Sequence, residues 1–365
     1  MTINQNKNHN LKCGVIGCGR ISEKHLSAFH SQNMKADLVA VADIDESKAR
    51  SKGEKYHVPF YRDYHEMLRY HPEINLIDVL TPSGYHAEHI IDLAPYGKNI
   101  IVEKPMALTI KDCDEMIDAC RRHGCRLFVV KQNRFNQAVV AAMKAMEEGR
   151  FGKMILATVR VRWCREQDYY DNSDWHGTWA LDGGVISQQA SHHLDLLQWF
   201  MGPIEKLESY TATRVLNIEV EDTAVAIMRF KSGALGVFEA TVASRPDNLE
   251  ASLSLLGEKG TIILGGPAVN RIEYWRFVEE KQEDEMMGER FSNDVPNVYG
   301  YGHSPYLSHV TEAILENKKG LVEGEEGKKT VELLTAIYES AAMGGASAIP
   351  GQEIKHALIG VRDRD

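Results

Sequence analysis

From Leu11 to about Gln132, short apolar runs alternate with amphipathic stretches. The runs Leu11–Ile16, Asp37–Ala42, Leu76–Leu80, Asn99–Val102 and Arg126–Val130 are rich in Val and Ile. They are nearly continuous rather than alternating, which predicts strands buried on both faces, as in a parallel sheet. Between them, helical spacing is expected over Ser22–Ser31, Ser47–Lys55, Tyr64–Tyr70, His86–Ala94 and Lys111–His123. Such alternation of strand and helix predicts a doubly wound α/β domain over residues 11–131.

The second half, 132–365, has a different period. A helix is expected at Gln137–Glu148, followed by a long, partly alternating run at Lys153–Arg165. Strand-like runs follow at Thr223–Phe230, Ala234–Thr241, Ala251–Leu256 and Thr261–Leu264. Lys231-Ser232-Gly233 reads as a hairpin turn, and Gly257 to Gly260 as another. Strands joined by tight turns predict a mostly antiparallel sheet with one face covered. Two C-terminal helices, Ser304–Glu316 and Gly327–Met343, are available to cover it.

A chain of 365 residues fits two domains. With 43% hydrophobic and 26% charged residues it has the composition of a folded protein rather than a disordered one. No apolar run approaches the ~18 residues needed to span a bilayer, so no membrane partner is expected. The segment Met1–Asn10 is polar and reads as a loose leader without the apolar core of a secretion signal. Lys and Arg total 42 against 52 Asp and Glu, a net charge of −10 that disfavours nucleic acid. Six cysteines without a C-x-x-C pair suggest neither a disulfide framework nor a metal site, which fits a cytoplasmic location.

Chemistry enters where the first strand ends. Gly17-Cys18-Gly19-Arg20-Ile21-Ser22 is a G-x-G-x-x-S loop opening directly into a helix. Gly17 permits a tight turn, Gly19 lets backbone approach a pyrophosphate, and the helix N-terminus favours the phosphates. The second strand ends in Asp43, 26 residues beyond Gly17, where an acid accepts from ribose hydroxyls and repels a 2′-phosphate. Its competing role is a helix N-terminal acid, although Ser47 is an equally suitable cap. Ile44 stands where an Arg would suggest the phosphorylated cofactor, so NAD is expected despite nearby Lys48 and Arg50.

Two further segments sharpen this reading. Glu103-Lys104-Pro105 ends a buried strand, and Gly183-Gly184 leads through Gln188 to His192, His193 and Asp195. With Thr81-Pro82-Ser83-Gly84-Tyr85-His86, these segments resemble the glucose-fructose oxidoreductase/inositol dehydrogenase (Gfo/Idh/MocA) family. The resemblance implies an N-terminal Rossmann domain and a C-terminal α/β domain with a large open sheet. It also implies that Lys104 and His192 face a nicotinamide, with Thr81, Pro82, His86 and Glu103 lining the cofactor. Arg20, Ile21 and Gln132 join Gly17, Gly19 and Asp43 as candidate cofactor contacts. The usual Asp four residues before the histidine is Gln188 here, and the usual glycine is Ala190. A neutral amide is no proton acceptor, so the family aspartate's role is not available at that position.

The stretch Trp175–Gly184, Gln188, the paired histidines and Gln132-Asn133-Arg134-Phe135-Asn136 resemble one branch of that family, the UDP-N-acetylglucosaminuronate 3-dehydrogenases. That likeness implies NAD-dependent oxidation of the sugar C3 hydroxyl of UDP-2-acetamido-2-deoxyglucuronate, a step toward bacterial surface polysaccharide. It further implies a homodimer or homotetramer, with 2-oxoglutarate as a possible hydride acceptor.

Oxidising an alcohol requires a base for the O–H proton and a donor for the developing alkoxide. Lys104 and His192 both suit these tasks, and the sequence leaves open which takes the proton. Adjacent helical histidines point ~100° apart, so only one faces the ligand. His192 is preferred because Asp195, three residues on, is placed to hold its ring. A substrate with a pyrophosphate and a carboxylate needs local positive charge. Arg160, Arg162 and Arg165 are the expected suppliers, with Gln188, Asn133, Arg134 and Tyr169 as further substrate contacts. Arg160 and Arg162 share one strand face, and Arg165 the other unless the strand bends. The competing readings are a dehydrogenase of a free polyol such as inositol, and a non-catalytic NAD-binding sensor.

Overall fold

The computed structural model describes residues 10–295 and 297–361. Apart from Asn10, the expected leader lies outside the described residues. The chain opens with β1 (Leu11–Ile16), α1 (Ser22–Phe29), β2 (Ala36–Ala42), α2 (Glu46–Tyr56), β3 (Phe60–Tyr61) and α3 (Tyr64–Tyr70). It continues through β4 (Leu76–Val79), α4 (His86–Leu93), β5 (Asn99–Val102), α5 (Ile110–Arg122) and β6 (Leu127–Val129). All six strands are parallel, in the order β3-β2-β1-β4-β5-β6. This is the Rossmann arrangement, and its order reverses between β1 and β4, where a crevice opens at the strands' carboxyl ends.

Strands β4 and β6 are buried throughout, and β1 and β5 at all but one residue each, which explains their unbroken apolar runs. Within the parallel sheet, among the described residues, only β3 escapes the sequence pattern, because two residues cannot establish a period. Helix α2 is capped by Asp45 rather than by Ser47. The Asp45 carboxylate accepts from the Ser47 and Lys48 N–H groups.

The second unit comprises α6 (Gln137–Glu147), β7 (Met154–Arg162), α7 (Gln167–Asp171), α8 (Ser191–Met201), β8 (Ile204–Ala212), β9 (Thr223–Phe230) and β10 (Leu235–Thr241). Then come β11 (Glu250–Gly257), β12 (Gly260–Gly265), β13 (Arg271–Phe277), α9 (Met287–Phe291), α10 (His303–Leu315) and α11 (Gly324–Ala342). The sheet runs β13-β12-β11-β7-β10-β9-β8, antiparallel except where β7 meets β10. Its inner face packs Ala157, Val159 and Val161 of β7 with Leu194 and Leu197 of α8 in one fully buried cluster. Full burial of each such Val or Leu contributes ~1.5–3 kcal/mol. The opposite face is open, with Val225, Ile227, Leu235 and Val237 exposed on it.

The last helices return to the first unit. Tyr306, Leu307 and Val310 of α10 share a core with Leu26 and Phe29 of α1. Val331 of α11 joins the core on the other side of the parallel sheet, with Leu127 and Val129. No helix among the described residues is long and apolar enough to cross a membrane.

Candidate active site

At the crevice, β1 turns sharply through Gly17, whose φ is +99°. A Cβ there would lie 2.7 Å from the Leu80 carbonyl carbon, so only glycine fits. Gly19 has open space around its Cα, leaving its backbone approachable by a ligand. Ser22 is fully buried and donates its hydroxyl hydrogen to Gly19 O at 2.7 Å, which explains a small residue in place of the third glycine. Asp43 sits just past β2, where its carboxylate accepts from Cys18 N (2.7 Å) and Asp45 N (2.8 Å). Thr81 and Pro82 follow β4, and the His86 ring spans Thr81 O (2.8 Å) and Pro105 O (2.9 Å), tying the ends of β4 and β5 together. Gly17, Gly19, Arg20, Ile21, Asp43, Thr81, Pro82, His86 and Glu103 thus gather at one end of the parallel sheet. A tight glycine turn, an approachable helix start and a strand-end acid together fit a dinucleotide with free ribose hydroxyls.

Lys104 leaves β5 toward the second unit. Its Nζ donates to Gln188 O (2.7 Å) and Gln188 Oε1 (2.8 Å), a residue on the irregular turn before α8. Burial lowers the lysine's pKa below its usual range, while Glu103 and Asp182 partly offset that. His192, in the first turn of α8, is held at Nε2 by the Gln132 amide nitrogen at 2.9 Å. Burial and the nearby Lys104 and Lys131 ammonium groups depress the imidazole well below its ordinary range, so at neutral pH it is uncharged. Gln132 Oε1 and Asn133 Oδ1 are buried without a partner among the described residues, which suits a polar ligand at this junction.

The two units are locked at this point. Gly84 N donates to Leu181 O at 2.9 Å. Gly183 has a φ of +75°, and Gly184 lies so close to Glu221 that a Cβ would strike its carboxyl, which together explain the glycine pair of the second motif. Beneath the lysine, Glu103 accepts from Lys104 N (2.8 Å) and contacts His25 Nε2 (3.1 Å), whose Nδ1 contacts Asp78 (2.7 Å). Burial presses His25 toward neutrality, but the two carboxylates overturn that and raise its pKa to about 10. His25 is therefore a buried cation between two acids, and it ties α1 to the strand end carrying Lys104.

Not every expected residue arrives. Arg160 and Arg162 lie on the open sheet face, opposite Val161 and helix α8. Arg162 pairs with Glu239 (2.6 Å) and Glu250 (3.3 Å), and Arg160 with Glu250 (3.6 Å). Neither is brought to Lys104, because strict alternation along β7 sends them the other way. Arg134 is not free to meet a ligand either. It is buried, makes a two-pronged pair with Asp195 (2.8 Å each), reaches Glu326 (3.1 Å) and lies over the Trp199 ring. Asp195 correspondingly does not orient His192. Its partners are Arg134, Thr330 (3.0 Å) and Lys131 (3.6 Å), and it serves as a structural anion.

Arg165 does reach the site, since the chain leaves the strand before it. Its guanidinium donates to Gln189 Oε1 (2.9 Å) and lies over Tyr169, whose ring also faces Arg20 of the glycine loop. The Tyr169 hydroxyl contacts His176 Nε2 at 3.3 Å. Burial, with Arg20 and Lys104 nearby, lowers the His176 pKa to about 4. His176 and Asp182 were not anticipated, although both lie in the Trp175–Gly184 stretch that carries the resemblance. Asp182 is buried, accepts from Gly177 N (2.7 Å) and Gln188 Nε2 (2.5 Å), and burial raises its pKa to about 7.

Residues 11–131 match the model described as oxidoreductase family, NAD-binding Rossmann fold, and residues 143–348 match that family's C-terminal alpha/beta domain. Among solved structures, the chain is similar to the WlbA dehydrogenase of Bordetella pertussis in complex with NADH and UDP-GlcNAcA. The two are 38% identical with a TM-score of 0.88, covering 94% of this chain and 99% of that one. The corresponding Chromobacterium violaceum complex is 37% identical with a TM-score of 0.87, covering 94% and 96%. The chain is also 28% identical to myo-inositol 2-dehydrogenase of Thermotoga maritima, over 90% of this chain and 96% of that protein.

Proposed function

The chain belongs to the Gfo/Idh/MocA oxidoreductase family, and within it we propose that it oxidises the C3 hydroxyl of UDP-2-acetamido-2-deoxyglucuronate to the ketone. It is an NAD-dependent oxidoreductase. The observation that carries the substrate reading is the junction itself. Lys104 from the Rossmann unit meets Gln188 and His192 from the other unit, under a rim where Arg20 and Arg165 flank Tyr169. Two guanidinium groups beside an aromatic ring suit a nucleotide carrying about three negative charges. Arg165 takes over the role first expected of three arginines.

Bound NAD supplies the carbon that receives the C3 hydrogen with its electron pair. The protein's task is the hydroxyl proton. Two positions of the Lys104 nitrogen are given to Gln188 acceptors, which leaves the third for the substrate oxygen. Burial biases the amine toward its neutral form, whose lone pair takes the proton. His192, whose imidazole is held well below its ordinary range by burial and the lysines, donates or accepts a hydrogen bond that fixes the sugar. Loss of hydride and proton together leaves the 3-keto sugar.

The exposed Val225, Ile227, Leu235 and Val237 support packing of the open face against a second copy, giving a homodimer or homotetramer. The test is incubation with NAD and a panel of UDP-sugars and polyols, followed by mass analysis. UDP-2-acetamido-2-deoxyglucuronate is expected to lose two hydrogens, with repeated turnover once 2-oxoglutarate is added as hydride acceptor. Turnover of myo-inositol with none of the UDP-uronate would overturn the substrate reading.

A further inference from the structure

We propose that Asp182 is a positioning residue that sets the orientation of the Gln188 amide, and through it the direction of the Lys104 nitrogen. The inference rests on the reading of Lys104 as the proton acceptor, and deepens it. Gln188 has one oxygen and one NH2, and the two ends demand opposite partners. The Asp182 carboxylate accepts at both oxygens, one from Gly177 N (2.7 Å) and one from Gln188 Nε2 (2.5 Å). That leaves Gln188 Oε1 facing Lys104 Nζ at 2.8 Å. Were the amide turned round, its N–H would meet the lysine nitrogen, occupying the amine's lone pair or repelling the ammonium. The carboxylate therefore keeps the acceptor end on the lysine and its third position on the substrate.

Asp182 acts here in its anionic form, which becomes dominant as pH rises above about 7. Once protonated, one of its oxygens becomes a donor facing an N–H, and the chain of complementary contacts breaks. Burial raises its pKa to about 7, with Lys104 favouring the anion and the Glu221, Tyr169 and Tyr170 sites lying around it. Glu221 is itself raised to about 8 and stays largely neutral at pH 7, which limits repulsion.

The Asp182→Asn variant tests this. Its amide cannot accept from both Gly177 N and Gln188 Nε2, so one orientation must fail. kcat is expected to fall about 10- to 100-fold, the scale of one lost charged hydrogen bond, with KM for NAD little changed. The D182N/Q188E double variant restores complementarity. The introduced amide donates to the introduced carboxylate while accepting from Gly177 N, and that carboxylate in turn accepts from Lys104. It is expected to recover most of the lost kcat at a higher pH optimum, because a carboxylate now touches the lysine. D182N activity within about two-fold of wild type, or a folded double variant no better than the single, would overturn the proposal. Should D182N fail to fold, the double variant decides alone: folded and inactive overturns, folded and active supports.

A readout independent of substrate separates this from the functional reading. In lysine-labelled protein, the Lys104 resonance, assigned with Lys104→Arg, is titrated by NMR. It is expected to titrate lower in D182N and above wild type in D182N/Q188E. An unmoved titration would overturn the role of Asp182 even if no UDP-sugar is turned over.

Discussion

Replacing Arg134 by Ala separates a structural cation from a substrate contact. The guanidinium makes two 2.8 Å bonds to Asp195, reaches Glu326 at 3.1 Å and lies 4.6 Å from the Trp199 ring centroid. Without it, Asp195, 2% exposed, keeps among the described residues only Thr330 at 3.0 Å and Lys131 at 3.6 Å. Breaking a buried pair by removing one partner costs about 3–5 kcal/mol, because a charge is left uncompensated. Lys131 remains within reach, so the lower end applies, about 3 kcal/mol. For a cooperative unit of ~200 residues each kcal/mol moves Tm by roughly 2–4 °C, so a fall of about 6–12 °C is expected. The assay is thermal unfolding by circular dichroism, paired with steady-state kinetics below the transition. KM for the sugar nucleotide should change little. Replacing both partners by apolar residues, R134M with D195L, should recover part of the loss. An R134A protein with unchanged Tm but a sharply raised substrate KM would refute the structural assignment and return Arg134 to the binding site.

Three other outcomes follow from the same geometry. Gly17→Ala forces a side chain into a φ of +99° against the Leu80 backbone, and NADH affinity by fluorescence titration should fall at least about 10-fold. Arg160→Ala with Arg162→Ala should leave kcat/KM within about two-fold, since both side chains face away from Lys104 on the open sheet face and pair there with Glu239 and Glu250. His25 has a folded pKa of about 10 against an ordinary 6.5, so its stabilisation is full below pH 6.5 and is lost as pH rises toward 10. Tm measured against pH should therefore fall across that window in wild type, and more shallowly in His25→Gln.

Much of the fold was legible because burial on two faces writes itself into sequence as unbroken Val and Ile. Strands β1, β5 and β9 match their expected spans, Leu11–Ile16, Asn99–Val102 and Thr223–Phe230. Strands β8 and β13 went unanticipated. Each buries one face and carries charge on the other, as in Ile204-Glu205-Lys206-Leu207-Glu208, so neither forms an apolar run. For the site, the glycine loop was legible from its spacing between strand and helix, whereas Lys104 and His192 were expected from the resemblance, each within a contiguous motif. Asp195 misled because helical spacing places it near His192 but says nothing of Arg134, which arrives from 61 residues away and claims it. Asp182 was missed for a related reason: its partner Gln188 is reached only through a turn whose shape the sequence does not reveal.

The departure at Gln188 gains a physical meaning from that turn. Where the family pattern places an acid, this chain places an amide, and an acid stands behind the amide at Asp182. The negative charge, carried by ionised Asp182, stands one hydrogen-bonded side chain further from Lys104 rather than being removed. A carboxylate in direct contact would stabilise the ammonium strongly, whereas one acting across an intervening amide does so more weakly. On the proposed mechanism that difference matters, because burial can then bias the lysine toward the neutral amine that accepts a proton. Meanwhile His192, deprived of Asp195 and pressed toward neutrality by burial and two neighbouring lysines, has Glu103 to raise its basicity, a weaker influence than either lysine. On the proposed mechanism, the same substitution that takes an acid away from the histidine's neighbourhood leaves the proton to Lys104.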